Sequence, residues 1–154
     1  MTYVLRPATP LDASKIGEIL YRFEHETPWM PKEHSQVEAI AFCDRMISRG
    51  WVTVAEDCST DMILGFCAQD GAEICSLYLS PEHTGCGIGK RLLDHAKRQT
   101  SKLKLWTFQA NLAAQRFYLR EGFVEKKRTD GQRNSEGLPD IEYHWHAQEM
   151  ETAT

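Results

Sequence analysis

A glycine-rich turn between a hydrophobic segment and an amphipathic one is the part of the sequence that best predicts a chemical role. Residues 77–93 read Leu-Tyr-Leu-Ser-Pro-Glu-His-Thr-Gly-Cys-Gly-Ile-Gly-Lys-Arg-Leu-Leu. Gly85, Gly87 and Gly89 allow backbone N–H groups to point at one spot, because no Cβ atom obstructs the approach. The positive end of the following helix adds to this effect. The turn is therefore predicted to bind an anion, and a phosphate group in particular.

Two common phosphate-binding loops do not fit this turn. A Walker A loop requires G-x-x-x-x-G-K-[ST], but Gly89-Lys90 is followed by arginine, and Thr84 stands five positions before Gly89. A dinucleotide-binding G-x-G-x-x-G loop fails as well, because its third glycine would fall on Lys90. A third type, with the pattern [QR]-x-x-G-x-[GA] after a strand, remains.

Two segments resemble the GNAT superfamily of acetyl-CoA-dependent N-acyltransferases. Residues 77–93 are similar to its acetyl-CoA segment, and Asn111-x-x-Ala114-x-x-Phe117-Tyr118-x-x-x-Gly122-Phe123 is similar to its second motif. The order of the predicted elements also matches the family, so the resemblance extends over roughly residues 2–146. Thr84 is a departure, because the family usually has glutamine or arginine there to contact the pyrophosphate.

The resemblance implies acetyl-CoA as cosubstrate and no metal ion. The backbone of Leu77 and Leu79 is expected to pair with the pantetheine arm as an added strand would. Asn111 matches the family asparagine near that arm and is equally suited to cap a helix. The residues expected to surround the pyrophosphate are Thr84, Gly85, Cys86, Gly87, Gly89 and Lys90.

The implied reaction is direct transfer of an acetyl group from the thioester to a primary amine through a tetrahedral intermediate. Tyr118 occupies the family position that faces the CoA sulfur, so it is the expected general acid for the departing thiolate. Glu73 stands four residues before Leu77, the spacing of the catalytic glutamate in one branch of the family, and is a candidate general base. His25, His34 and a chain of water molecules are the alternatives for proton removal.

The acceptor amine is expected to bind near the irregular segment 24–31, which contains two prolines. Trp29 and Met30 are candidates for an apolar wall there, and Glu24 is a candidate to attract an ammonium group. The acceptor is a small-molecule or peptide amine whose identity the sequence leaves open. Two other readings keep the same fold: transfer of a longer acyl chain, and a non-catalytic CoA-binding sensor or interaction module.

The pattern of hydrophobic residues predicts the element order β-α-α-β-β-β-α-β-α-β-β. This order indicates an α+β GNAT-like fold, with a mixed, mostly antiparallel sheet, splayed central strands and flanking helices. One domain is predicted over residues 1–146, followed by a flexible tail at 147–154. Ser35 and Glu38 form a capping-box pattern ahead of a helix whose inner face is predicted to contain Val37, Ile40, Ala41 and Ile47.

The composition of the 154 residues suits a single globular domain, with 42% hydrophobic and 26% charged residues. A net charge of −4 argues against a nucleic-acid partner, and no apolar run is long enough to predict a membrane segment. The five cysteines form no C-x-x-C pair, so disulfides and structural zinc are not expected. A cytoplasmic location is predicted. The oligomeric state is left open, a homodimer included.

Overall fold

The computed structural model describes residues 2–148 and confirms the predicted element order. The strands are β1 (Tyr3–Pro7), β2 (Val52–Asp57), β3 (Ile63–Asp70), β4 (Glu73–Leu79), β5 (Lys102–Phe108), β6 (Val124–Thr129) and β7 (Asp140–His146). The helices are α1 (Ala13–Glu26), α2 (Gln36–Ser48), α3 (Ile88–Arg98) and α4 (Leu112–Arg120), with 3₁₀ turns at Pro10–Asp12 and Pro81–His83. Most of the predicted tail, residues 149–154, lies outside the described residues.

Within residues 2–148 the strands form one seven-stranded sheet in the order β1-β2-β3-β4-β5-β7-β6. All neighbours are antiparallel except β4 and β5, as the prediction of a mixed, mostly antiparallel sheet requires. Two apolar clusters form the core. One joins α1 and α2 to the sheet through residues such as Ile16, Met46 and Phe66, and the other lies under α3 and includes Leu92 and Leu105.

Helix α2 begins as predicted, and two residues of its predicted inner face meet the core: Ile47 is buried and Ile40 is partly buried. The Ser35 hydroxyl accepts the N–H of Glu38 at 3.1 Å, and the Glu38 carboxylate accepts the N–H of Ser35 at 3.0 Å. The prediction that Val37 and Ala41 face inward is wrong, because Val37 is 74% exposed and Ala41 is also exposed. The buried stripe instead has helical spacing with smaller residues at its start: Ala39, Cys43, Met46 and Ile47.

Strands β4 and β5 separate soon after they meet, as the predicted splay requires. Glu73 and Lys104 are the pair that aligns in parallel register between these strands. The bond from the Lys104 N–H to the Ala72 carbonyl, at 2.7 Å, lies beside this pair. On the other side of β4, Ser76 opposes Ala68 and Ile74 opposes Gln69, so Cys75 is an extra, bulged residue. The sheet therefore opens between two strands that are still anchored to their outer neighbours.

Among residues 2–148, no helix combines the length and the hydrophobicity that a membrane span requires.

Candidate active site

A small cavity lies in the gap between strands β4 and β5, where they separate. Its volume is about 80 Å³, and its walls are residues 74–78 of β4, residues 105–108 of β5, and Asn111, Ala114 and Tyr118 at the α4 end. The β4 backbone beyond Glu73 has no strand partner on this side. Peptide N–H and C=O groups on that edge are therefore available to a ligand that hydrogen-bonds as a strand does.

Tyr118 reaches this cavity from a tightly packed position on α4. Tyr118 is 8% exposed. Its ring packs edge-on against the rings of Phe117 and Phe123, with distances between ring centroids of 5.1 and 5.5 Å. Burial raises the pKa of the Tyr118 phenol well above the ordinary value, with smaller contributions from Cys67 and Tyr78. The phenol therefore keeps its proton near neutral pH and can act as a hydrogen-bond donor.

Asn111 has the helix-capping role that its position allows. Its side-chain oxygen accepts the N–H of Ala114 at 3.1 Å, and its own N–H donates to the Phe108 carbonyl at 2.9 Å. These bonds fix the end of β5 to the start of α4. Asn111 therefore both caps α4 and lines the cavity.

The glycine turn before α3 has the conformation that its sequence predicts. Gly85 and Gly87 have φ angles of +77° and +82°, and a Cβ atom added to either would meet nothing within 4 Å. Gly87 is the N-cap of α3 and, as a glycine, has no side chain that could accept a hydrogen bond from the first N–H groups of the helix. The first N–H groups of a helix have no partner within it, so those of α3 face the open space beside the turn.

Gly89 serves a different purpose from the two glycines before it. A Cβ atom at Gly89 would lie 3.6 Å from both Leu79 and Phe117, so its missing side chain faces the packed interior. Its backbone is helical, in the first turn of α3. A Cβ atom at these distances would make ordinary van der Waals contacts, so the contribution of Gly89 to the turn is its N–H at the helix start.

The side chains of the turn are mostly engaged within the protein. The Thr84 hydroxyl donates to the Pro81 carbonyl at 3.4 Å, and the Cys86 sulfur lies 3.7 Å from the Thr84 carbonyl oxygen. Lys90 Nζ lies 3.0 Å from a Glu121 oxygen and 3.4 Å from an Asp94 oxygen. The hydrogen bond to Glu121, more than that to Asp94, raises the pKa of the lysine. Lys90 thus keeps its positive charge beside the helix start.

The turn is also connected to α1. Arg22 on α1 donates to both Glu82 oxygens, at 2.8 and 3.1 Å, and the Ser80 hydroxyl donates to Glu82 at 2.7 Å. Glu82 lies in the 3₁₀ turn between β4 and the glycines. The ion pair between Arg22 and Glu82 therefore joins α1 to the segment that leads into the glycine turn.

A large open cleft of about 1200 Å³ meets the small cavity. Its walls come from the end of α1 and the following segment, from α2, and from the β6–β7 loop at residues 130–136. Phe23, Cys75, Ser76, Tyr78 and residues 106–108 line both spaces. A molecule in the cleft can thus reach the gap between β4 and β5.

The segment 27–35 is irregular and lies at the cleft, but residues 24–26, which were also predicted to be irregular, form the last turn of α1. Glu24 is buried, and one of its oxygens accepts the N–H groups of Glu33 and His34 at 2.8 and 3.0 Å. Its other oxygen lies 3.2 Å from the His34 ring. Burial raises the pKa of Glu24, but these hydrogen bonds outweigh it, and the net effect is a lowered pKa. Both Glu24 oxygens hold the segment in place.

Of the two apolar candidates in this segment, Met30 lines the cleft. Trp29 packs edge-on against Phe23 and Phe108, with ring centroids at 6.0 and 5.8 Å, and both of these partners line the cleft. Trp29 therefore packs against two residues that line both cavities.

Glu73 lies at the closed end of the splay, opposite Asp70 on β3 and Lys104 on β5. Neither cavity, as residues 2–148 define it, includes Glu73 in its lining. His25 stacks on Tyr21 and its ring lies 3.1 Å from the His34 carbonyl oxygen. The assignment of a general base remains a prediction.

The β6–β7 loop forms a wall of the cleft that the sequence analysis does not identify. Asn134 organises this loop, because its amide donates to the Leu138 carbonyl at 2.6 Å and to Asp140 at 3.1 Å. Asp140 also accepts the Thr129 hydroxyl. Gly131, with φ +83°, lies so close to Leu138 that an added Cβ would be 2.2 Å from its carbonyl group. In the sequence, only Gly131, Asn134 and Gly137 indicate that this loop has a defined turn structure.

Comparison with known proteins gives the family. A sequence model of the acetyltransferase (GNAT) domain matches residues 48–125, half of the chain. This match includes strands β2 to β5, the glycine turn, α3 and α4. The chain belongs to the GNAT acetyltransferase family, as its two motifs predict.

Named relatives agree with this assignment. Peptidyl-lysine N-acetyltransferase YjaB of Escherichia coli is 31% identical over 80 residues, which cover 52% of this chain and 52% of YjaB. The aligned region thus spans about half the length of that relative. The solution structure of apo YjaB has a TM-score of 0.76 at 20% identity, covering 96% of this chain and 100% of that one. The yncA protein of Salmonella typhimurium, solved with its cofactor acetyl-CoA, has a TM-score of 0.75 at 17% identity, covering 97% and 96%. These likenesses confirm the predicted fold.

Proposed function

We propose that the protein is an N-acetyltransferase that moves an acetyl group from acetyl-CoA directly to a primary amine. The observation that carries the proposal is the arrangement around β4. One strand leads into the glycine turn, borders the gap at Tyr118, and also lines the open cleft that meets this gap. Phosphate, thioester and amine each have a suitable position along it.

Acetyl-CoA binding is assigned to three parts of this strand and the turn after it. The N–H groups at the start of α3 hold the pyrophosphate, and Lys90 lies beside them, where a phosphate would compete with Glu121 and Asp94 for its ammonium group. The pantetheine arm takes the place of the missing strand partner at Leu77 and Leu79.

Within the gap, each chemical requirement of acyl transfer has a candidate group. The tetrahedral oxyanion is stabilised by an N–H of β4 near Leu77, on the edge that has no strand partner. Tyr118 donates its proton to the departing thiolate. The amine enters from the cleft past Tyr78 and loses its proton to Glu73, to a histidine or to water.

Two further observations bear on substrate and compartment. The cleft is wide enough to admit an amine carried by a peptide as well as a small molecule, and YjaB is named a peptidyl-lysine N-acetyltransferase. We therefore include lysine side chains among the acceptors to test.

The state of the cysteines bears on the compartment. All five cysteines fall within residues 2–148 and are unpaired, which suits the reducing cytoplasm.

Thermal unfolding with acetyl-CoA tests the binding half of the proposal. At a ligand concentration of about 100 times Kd, the native state gains about 2.7 kcal/mol, and Tm rises accordingly. Pantetheine is the control, because it carries the arm without the pyrophosphate, and it is expected to give a much smaller rise at equal concentration. An unchanged Tm with saturating acetyl-CoA and CoA would refute the cofactor assignment.

Release of free CoA thiol with a panel of primary amines tests the catalytic half. We expect amine-dependent thiol release from acetyl-CoA, and slower release from acyl-CoA molecules with chains of four or more carbons. Binding of acetyl-CoA without thiol release on any amine of the panel would favour the sensor alternative.

A further inference from the structure

The carboxylates of the cleft fall into two groups by what they contact. Six acidic residues line it: Glu24, Glu33, Glu38, Asp130, Glu136 and Asp140. Four of them accept hydrogen bonds from the protein itself, as helix caps, turn bonds or loop braces. Within residues 2–148, the side chains of Glu33 and Glu136 have no hydrogen bond or ion pair. These two carboxylates are the ones free to meet a ligand.

Glu136 differs from Glu33 in what its charge affects. Burial is the largest cause of a pKa of about 12 at Tyr78, and the charges of Glu136 and then Glu24 raise it further. Tyr78 lines both the cleft and the gap between β4 and β5. Glu136 is half-buried in the wall of the cleft that Tyr78 also lines, whereas Glu33 is exposed and Glu24 is already engaged.

The backbone around Glu136 is held at both sides. The Gly137 N–H donates to the Asn134 carbonyl at 3.2 Å, and the Leu138 N–H donates to the Asn134 side chain at 3.2 Å. With the bonds from Asn134 to Leu138 and Asp140, these contacts fix both flanks of a half-buried residue. A residue held in this way presents its charge at a constant place.

The cations of the cleft leave Glu136 unneutralised. Arg45 lies over the Phe42 ring at 6.0 Å, Lys127 is 3.8 Å from Glu142, and His34 contacts Glu24. Arg133 lies on the same loop as Glu136, is exposed, and forms no ion pair with it in the described residues. A positive charge brought by a ligand would supply the missing partner.

We propose that Glu136 determines acceptor specificity by forming an ion pair with the ammonium group of the incoming amine, within the cleft that Tyr78 also lines. The acceptor class is thus an alkyl amine that enters in its protonated form, such as a lysine side chain or a polyamine. This inference rests on the proposed function, since it assigns the acceptor of that same site. The proton is lost after capture, so the ion pair acts on binding and not on the chemical step.

The test compares Glu136→Gln with Glu33→Gln, which removes the other unengaged carboxylate of the same cleft. Calorimetric titration of the CoA-bound protein uses spermidine and Nα-acetyl-lysinamide as cationic probes. We expect Glu136→Gln to weaken binding of these probes by ~10-fold or more, because hydrogen bonds to charged groups contribute that much when partly buried. Glu33→Gln is expected to match the wild type, and Glu136→Asp to retain most of the affinity.

Kinetics with the better acceptor gives a second readout. KM is expected to rise ~10-fold in Glu136→Gln while kcat changes less than ~3-fold, since uniform binding is lost. Equal affinities in Glu136→Gln and Glu33→Gln, or no binding of either cationic probe to the wild type, would overturn the inference. Probe binding that depends on Glu136 without any acetyl transfer would support an ammonium site at Glu136 but reject both the proposed reaction and its acceptor role. The acetyl-CoA thermal shift serves as the folding control for each variant.

Discussion

Gly87→Val is expected to weaken CoA binding by at least ~100-fold. Gly87 has φ +82°, a conformation that β-branched residues rarely adopt, and it caps the helix whose N–H groups face the proposed pyrophosphate. The space beyond its missing side chain is empty of protein atoms within 4 Å, so valine would fill the volume that the phosphates need. Calorimetric titration with CoA measures the loss.

Gly50→Val is the matched control for this substitution. Gly50 has φ +76° and also has nothing within 4 Å of an added Cβ, but it follows α2 and lines neither cavity. Both variants are expected to lose about 1–3 kcal/mol of stability from the same backbone strain. A loss of CoA affinity in the Gly87 variant alone would tie the effect to the turn. Wild-type affinity in a folded Gly87→Val protein would remove the pyrophosphate assignment.

The sequence predicts the elements of this fold well because their signals are local. Alternating and helical spacing predict the observed order of strands and helices, and the capping pattern at Ser35 predicts where α2 begins. Two residues of the predicted inner face of α2, Val37 and Ala41, are exposed for a related reason. Periodicity detects apolar residues, but it does not distinguish those that face a core from those that face an open cleft. Ala41 lines the cleft, and Val37 is exposed one turn before it.

Parts of the site that come from one continuous segment were also predictable. The turn at Gly85 and Gly87 needs only its own glycines and the following helix, and both have the expected geometry. The inference at Glu73 relied on a spacing of four along a strand. The bulge at Cys75 interrupts the two-residue alternation between Glu73 and Leu77, so that spacing no longer places both on the same face.

The acceptor wall depended on topology instead of local sequence. Strand β7 inserts between β5 and β6, which returns the β6–β7 loop to the cleft beside residues from α1 and α2. Glu136 is 58 positions away from Tyr78 in the sequence, and no local pattern links the two. Only the strand order brings this carboxylate to the cleft that Tyr78 also lines.

Tyr118→Phe is expected to lower kcat by ~10- to 10³-fold while leaving acetyl-CoA affinity nearly unchanged. The phenol lines the gap between β4 and β5, and its raised pKa keeps it protonated as a donor. Its hydrogen bond gains strength only as negative charge develops on the leaving sulfur, so its removal acts on the transition state. General-acid catalysis is typically worth ~10²–10⁴-fold. The expected effect is smaller because a CoA thiolate, with a thiol pKa near ~8.5, is already a tolerable leaving group.

Phenylalanine retains the ring that packs against Phe117, Phe123 and Tyr143, so the variant is expected to keep its fold and its CoA-induced rise in Tm. Steady-state kinetics with a working amine, alongside a CoA titration of the same protein, separates the two effects. A pre-steady-state measurement shows whether chemistry or product release limits the wild-type rate. If chemistry is limiting and the Phe variant still turns over at the wild-type rate, Tyr118 is a packing residue, and the thiolate takes its proton from water.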